Sequence, residues 1–250
     1  MKIWVSAYSD KGMRRENNED MAMVHDTMVC DDEPVQKVID GDVDGATVMA
    51  VADGMGGCNA GEVASQITVE HLLAWREKVP KDADSKQLLS IIDEEVKVIN
   101  ADVCQCASEH EEYEGMGSTM VGMVCTLKAC VVFNVGDSRL YRFRDGWLRQ
   151  ITHDHSLRNL TKDMTVPSNI IYNSIGVKES VFADKFDLTG KIKEGDVFLI
   201  CSDGLSDMLD DDKIEDLLKN DATPQDIIKA VNDAGGKDNV TAVVIKVASL

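Results

Sequence analysis

Val48-Met49-Ala50-Val51-Ala52-Asp53-Gly54-Met55-Gly56-Gly57 is an apolar run that stops on a carboxylate and a glycine-rich turn. Ala46 to Ala52 has the length of a strand and no charged position, which predicts a strand buried on both faces. Three remote stretches repeat the pattern. Arg15-Glu16-Asn17-Asn18-Glu19-Asp20 leads into apolar Met21 to Val24. Val197-Phe198-Leu199-Ile200-Cys201 runs into Ser202-Asp203-Gly204, and Gly236-Lys237-Asp238-Asn239 precedes apolar Val240 to Val247. Each segment sets a carboxylate at the end of a strand, and together they are the parts of a hard-metal site.

Outward from these strands the pattern alternates between β and α. Ile3 to Tyr8 and Met21 to Thr27 read as strands, and Cys30 to Gly45 as an exposed loop or hairpin insert. Ala60 to Lys78 and Asp84 to His110 carry apolar residues at helical spacing, parted at Pro80. Thr119 to Leu127, Ala129 to Val135, Arg139 to Arg144 and Trp147 to Ile151 return to strand, with Asp145-Gly146 a strong hairpin signal. His153 to Gly176 has no steady period and predicts an irregular excursion with a short helix. Val181 to Leu188 and Asp196 to Cys201 are strands. Asp210 to Lys219 and the stretch opened by Thr223-Pro224 are helices, the latter with an N-cap and a proline at the first helical position. Strands at both ends with two pairs of helices between predict an α+β layered domain, antiparallel sheet covered by helices.

The chain of 250 residues suits one large domain, and no linker or repeat divides it. Its 44% hydrophobic content supports a core, with aromatics at only 5%, so aliphatic residues and 12 Met fill it. Against 45 Asp and Glu stand 26 Lys and Arg, a net charge of -19 that argues against nucleic acid and anionic membranes as partners. No apolar run reaches the length of a membrane span and no signal peptide opens the chain, which implies a cytoplasmic protein with its 7 Cys reduced. Trp4, Trp75 and Trp147 read as packing residues. His153 and His155 read as part of a polar turn with a helix cap.

Mg²⁺ and Mn²⁺ prefer oxygen ligands, few from protein and several from water. Asp53, Asp203 and Asp238 with the Gly54 carbonyl meet that demand, and Glu19 and Asp20 suit the holding of metal waters. A metal pair lowers the pKa of a bound water and clamps the oxygens of a phosphoryl transfer. Arg15 supplies a planar fork for phosphate oxygens close to the same acids. The chemistry points to metal-dependent hydrolysis of a phosphate ester.

The ordered set Arg15 to Asp20, Asp53-Gly54-Met55-Gly56-Gly57, Ala60-Gly61-Glu62, Met116 to Thr119, Asn134 to Arg139, Thr152 to Ser156, Ser202-Asp203-Gly204 and Gly236 to Asn239 resembles the metal-dependent serine/threonine phosphatases of the protein phosphatase 2C family, in its compact bacterial form. The resemblance implies two antiparallel β-sheets packed as a central sandwich, flanked by pairs of antiparallel helices, over residues 1–250. It implies two Mn²⁺ or Mg²⁺ ions bridged by Asp53, one also bound by the Gly54 carbonyl and the other by Asp203 and Asp238. Glu19 and Asp20 then hold metal waters, with Asp20 on the metal side, and Arg15 binds the substrate phosphate. Asp137, with Asp203, matches the acids that hold a third, weaker metal. The implied reaction is direct attack of a bridging hydroxide on phosphoserine or phosphothreonine, in a protein expected to oppose a serine/threonine kinase; the sequence does not fix the oligomeric state, with a monomer favoured.

The chain departs from the family pattern in places. Met55 stands where many members carry a histidine, and Cys58 follows the glycines where bacterial members often carry one. The flap at 156–174 is short, with Asn173 and Ser174 where an arginine is usual. Two alternatives remain open on sequence: a catalytically weak, phosphoprotein-binding regulator of the same fold, and a hydrolase of small phosphate esters.

Overall fold

The apolar run becomes the strand Thr47–Met55, and its residues divide between two cores. Val48, Ala50 and Ala52 face one, whereas Met49 and Val51 face the other. A strand buried on both faces needs a layer on each side. The structure, a computed structural model, describes residues 1–30, 33–40, 46–56 and 60–250.

In chain order the elements open with β1 (Lys2–Asp10), β2 (Asp20–Val24), β3 (Thr27–Val29), β4 (Val35–Asp40) and β5 (Thr47–Met55). Then come α1 (Ala60–Lys78), α2 (Ser85–Glu109), β6 (Gly117–Ser118), β7 (Met120–Cys125), β8 (Cys130–Val135), β9 (Arg139–Arg144) and β10 (Trp147–Gln150). The rest are α3 (Leu157–Thr161), β11 (Asp184–Asp187), β12 (Val197–Cys201), α4 (Asp203–Ser206), α5 (Asp211–Lys219), α6 (Pro224–Asp233) and β13 (Val240–Ser249).

The strands form two antiparallel sheets. One runs β10-β9-β12-β13-β1-β4 and the other β11-β8-β7-β5-β2-β3, with β6 paired to β5. Between them lies a core built from alternate residues of both, including Ile3 and Val5, Ala22 and Val24, Met49 and Val51, Phe198 and Ile200, and Val243 and Ile245. The opposite parity faces helices. Val48, Ala50 and Ala52 pack on α1 and α2, while Leu199, Cys201, Ala242 and Val244 pack on α5 and α6. The order is therefore helix, sheet, sheet, helix, as the resemblance implied.

The helices form for local reasons. Asp84 accepts from the Gln87 N–H while the Gln87 side chain accepts from the Asp84 N–H, a reciprocal cap that opens α2. Leu88, Ile92, Val96, Ile99 and Val103 then line its buried face at spacings of three and four. Thr223 caps α6 in the same way with Asp226, and Pro224 takes the first helical position.

The structure corrects several expectations. The strand expected from Met21 to Thr27 is a hairpin, because His25 turns the chain at φ 57° between β2 and β3. The exposed loop or hairpin insert expected from Cys30 to Gly45 contains the edge strand β4, which pairs with β1, and residues 31–32 and 41–45 lie outside the described residues. β5 does not stop at Ala52; Gly54 and Met55 pair with β6, so Asp53 lies within the strand. Trp75 is 3% exposed and packs edge-on to Phe133, but Trp4 and Trp147 are 54% and 76% exposed and are not core residues. Cys125 and Cys130 are register partners across the β7–β8 hairpin and form a disulfide, against the expectation that all thiols are reduced. Cys58 lies outside the described residues.

Candidate active site

β2 and β5 are neighbours, and Asp20 stands opposite Asp53 in their register. Asp53 shares the parity of Met49 and Val51, so it sits on the face toward the other sheet, at the rim of the sandwich. Its backbone is fixed by Thr119, which accepts the Asp53 N–H on Oγ1 at 3.0 Å and donates its own N–H to the Asp53 carbonyl at 2.9 Å. Thr119 Oγ1 also pairs with Ser138 Oγ at 2.7 Å, which ties the neighbour of Asp137 to the same knot.

Asn239 gathers the loop that carries Arg15 and Glu19. Its Oδ1 accepts the Glu19 N–H at 2.9 Å, and its Nδ2 donates to the carbonyls of Lys11 at 3.0 Å and Asn17 at 2.7 Å. From the other side the Glu19 carbonyl accepts the Gly54 N–H at 3.0 Å. Two glycines make this closeness possible. A Cβ on Gly54 would strike the Gly61 carbonyl at the start of α1, and one on Gly204 would strike the Asn239 carbonyl. The sequence reading gave Gly54 the task of approaching a metal; its missing side chain also serves the contact of β5 with α1.

Ser202 stands at the N-terminal boundary of α4 without a side-chain cap to the helix, and Asp203 opens the first turn. The Ser202 hydroxyl donates to Asp20 Oδ2 at 2.6 Å and accepts the Thr241 N–H at 3.0 Å, a buried link between the two sheets. Arg15 Nη2 donates to Asp238 Oδ2 at 2.7 Å. A cavity of about 310 Å³ results, walled by Arg15, Glu19, Asp53, Gly54, Asp137, Asp203 and Asp238. Of the expected site residues only Asp20 is off this wall; it is 2% exposed and stands beside Asp53 on the neighbouring strand. Met55, at the position where many family members carry a histidine, lines the cavity.

These carboxylates crowd one another in a dry place. Burial, followed by repulsion from Asp203 and Asp238, lifts Asp20 to about 7 against the hydrogen bond from Ser202. Burial and then Asp207 and Asp238 lift Asp203 to about 6. Burial and the charges of Asp203 and Asp154 lift Asp137 to about 8. Asp53 lies well above the usual carboxylate range through burial and the charges of Asp20, Asp203, Asp137 and Asp238. Burial also lifts Glu19. Oδ1 of Asp20 and Oδ1 of Asp137 are buried with no hydrogen-bond partner. Unpaired buried oxygens among repelling acids need cations. The donors are all oxygen, which fits Mg²⁺ or Mn²⁺. Among the described residues no three acids, histidines or cysteines already close on one point as a ready ligand set. An open wall of carboxylates suits ions that keep several waters.

The roles of four residues of the site escaped the sequence reading. Thr119, Ser202 and Asn239 stand in the quoted motifs, but they act through partners remote in sequence, so no local spacing gives them a role. Asp207 lies one turn after Asp203, and its charge acts on both Asp203 and Asp137. The spacing of four was a usable signal, but α4 was not foreseen. In the segment 156–174, Asn169, Ile171 and Ser174 reach the cavity, whereas Asn173 is buried and donates to the Phe182 carbonyl at 2.9 Å and lies 2.7 Å from His155 Nδ1. His155 is buried as well, at 2% exposure, and its neighbour Ser156 caps α3.

Known proteins agree with this architecture. A serine/threonine phosphatase of Listeria welshimeri is 31% identical over 95% of this chain and 93% of its own length. The solved serine/threonine phosphatase of S. agalactiae superposes with a TM-score of 0.83 at 28% identity, covering 98% of this chain and 99% of that one. The catalytic domain of the serine/threonine protein phosphatase PstP, solved in complex with 2 manganese ions, gives a TM-score of 0.78 at 29% identity over the whole of both chains. The model of the family described as Protein phosphatase 2C matches residues 22–240. By that match, most of its length, the chain belongs to the protein phosphatase 2C family.

Proposed function

We propose that the protein is a metal-dependent serine/threonine protein phosphatase that hydrolyses phosphoserine and phosphothreonine. The observation that carries this reading is one cavity in which Asp53, Asp203 and Asp238 meet beside Arg15, with Asp20 next to Asp53 on the neighbouring strand. Asp53, Asp203, Asp238 and the Gly54 carbonyl would hold two Mn²⁺ or Mg²⁺ ions, and Asp137 with Asp203 would hold a third, with the charge of Asp207 near both. Bound there, the ions supply the Lewis acidity that makes water a nucleophile at neutral pH and offsets charge on phosphoryl oxygens.

The residues of the chain do the rest. Arg15 leaves Asp238 and grips the substrate phosphate through its fork. Glu19 and Asp20 orient water; Ser202 fixes one oxygen of Asp20 and leaves Oδ1 free to accept. Met55 has no proton to give, so the leaving alkoxide takes its proton from water. Cys104, Cys106 and Cys201 are free thiols beside the single hairpin disulfide Cys125–Cys130, and on that balance we place the protein in a reducing compartment, in signalling opposite a serine/threonine kinase. No helix among the described residues is long and apolar enough to cross a membrane.

The test is phosphate release from p-nitrophenyl phosphate and from a phosphothreonine peptide, with Mn²⁺ and with chelator. Metal-dependent release from both is expected. Release from the small ester alone would reassign the enzyme to small substrates, and release from neither would remove the enzymatic reading.

A further inference from the structure

Beside the proposed catalytic cavity lies another of about 410 Å³. The two share Asn169, Asp203 and Asp238 in their walls, so they adjoin. The outer wall of the second carries two cations from different parts of the chain, Arg158 of α3 and Lys237 of the loop before β13. Arg158 Nε donates to the Val166 carbonyl at 2.7 Å, which fixes the guanidinium on its own segment. Its Nη groups have no hydrogen-bond or ion-pair partner in the described structure, and neither has the Lys237 ammonium. Free cations at one pocket are notable in a chain with 45 acids against 26 bases, where an acidic neighbour is easily found.

The acids of the same cavity are otherwise engaged. Asp238 already pairs with Arg15, Asp203 and Asp238 also wall the cavity proposed for the metals, and Asp207 follows Asp203 by one turn. Arg158 and Lys237 are what remains for a ligand. A fork and a point charge lining one cavity suit a carboxylate or phosphate group. Elsewhere the net negative surface repels acidic chains, so local cations decide whether one can approach.

We propose that this cavity is an anion subsite for the substrate chain, in which Arg158 and Lys237 take an acidic side chain near the phosphorylated residue. The ligand is a carboxylate or a second phosphate, borne on a residue close to the phosphorylated one, since the two cavities adjoin. The assignment rests on the protein phosphatase reading above and adds a substrate preference to it.

The experiment compares phosphothreonine peptides with neutral, aspartate or phosphoserine flanks, and p-nitrophenyl phosphate, all with Mn²⁺. For the native protein kcat/KM should be about ten-fold higher with an acidic flank than with a neutral one, chiefly through KM, as expected of charge-assisted hydrogen bonds at a partly exposed site. The two acidic flanks distinguish carboxylate from phosphate as the preferred ligand. Arg158→Gln/Lys237→Gln should bring the preference below about two-fold while p-nitrophenyl phosphate, too short to reach the subsite, is turned over as before. Arg158→Glu/Lys237→Glu should prefer a lysine flank. Lys2→Gln/Lys37→Gln, an equal change of charge elsewhere, should keep the native preference. Absence of any flank preference in the native protein overturns the proposal. So does a preference that survives in the glutamine variant, is lost equally in the Lys2 and Lys37 variant, or falls only in step with p-nitrophenyl phosphate turnover. Turnover of no substrate at all would instead overturn the phosphatase reading beneath it.

Discussion

Arg15 and Asp238 are 223 positions apart in sequence, and Nη2 of one meets Oδ2 of the other at 2.7 Å. The pair is half exposed, at 50% and 39%, so it adds little to stability. Its interest is exclusion: while Arg15 holds Asp238, neither is free for a phosphate or a cation. Arg15→Ala should therefore raise KM for a phosphothreonine peptide, lowering kcat/KM by about 10- to 100-fold, and should tighten Mn²⁺ binding a few-fold. Steady-state kinetics and calorimetric titration read the two effects separately. Weaker Mn²⁺ binding would mean that the pair does not compete with the metal.

Asp53, Asp203 and Asp238 form the proposed ligand set. Asp53→Asn, Asp203→Asn and Asp238→Asn should each lower Mn²⁺-dependent turnover by about two decades or more. In chelator, Asp53→Asn should melt a few degrees higher than the native protein, because it removes one charge from a crowded buried cluster. Near-normal turnover together with an unchanged melting temperature would show that Asp53 is not at the centre of the cluster.

Stability of the metal-free protein should depend on pH in a defined direction. An aspartate in the unfolded chain loses its proton at about pH 4. In the folded protein Asp203, Asp20 and Asp137 keep theirs up to about 6, 7 and 8. Between those limits the folded state holds more protons, so its stability falls as pH rises. Thermal melts in chelator should fall by several degrees from pH 5 to pH 8, and Mn²⁺ should restore more at pH 8 than at pH 6. Asp137→Asn should flatten the slope. A melting temperature that rises over this range would contradict the burial of the cluster.

Ser202 bridges Asp20 and Thr241. Ser202→Ala leaves a buried carboxyl oxygen and a buried N–H without a partner and should cost roughly 1–3 kcal/mol. It should also lower kcat with little change in KM, since the substrate itself does not touch Ser202. Denaturant unfolding and peptide kinetics check both.

The sequence carried much of this architecture where a single element suffices to define the signal. α1 and α2 were legible from their stripes, α6 from Thr223 and Pro224, and the β9–β10 hairpin from Asp145-Gly146, which takes positive φ at both turn positions. β4 was not, because an edge strand with every other residue exposed has few apolar positions to show. The extension of β5 through Asp53 was hidden too. It depends on β6, a strand of two residues whose partner lies more than sixty positions upstream. The acids and Arg15 could be singled out because their residue types betray their chemistry, and all but Asp20 line one cavity. The parts that hold them, Thr119, Ser202 and Asn239, are ordinary polar residues until the fold brings their partners within reach. Trp4 and Trp147 show the converse: size alone suggested packing, and both lie on outer strand faces.

The clamp made by Asn239 has a consequence for the timing of activity. It joins Lys11, Asn17 and Glu19 to the approach of β13, and β13 pairs along the whole of β1. The catalytic parts at the two ends of this stretch, Arg15 to Asp20 and Asp238, are set only when those two strands have met. Contacts so distant in sequence form late and together. The middle of the chain, from β5 to β12, carries Asp53 and Asp137 but has no Arg15, no Glu19 and no Asp238. A half-folded molecule is therefore inert toward phosphoproteins, and catalysis begins as a single event when the first and last strands close.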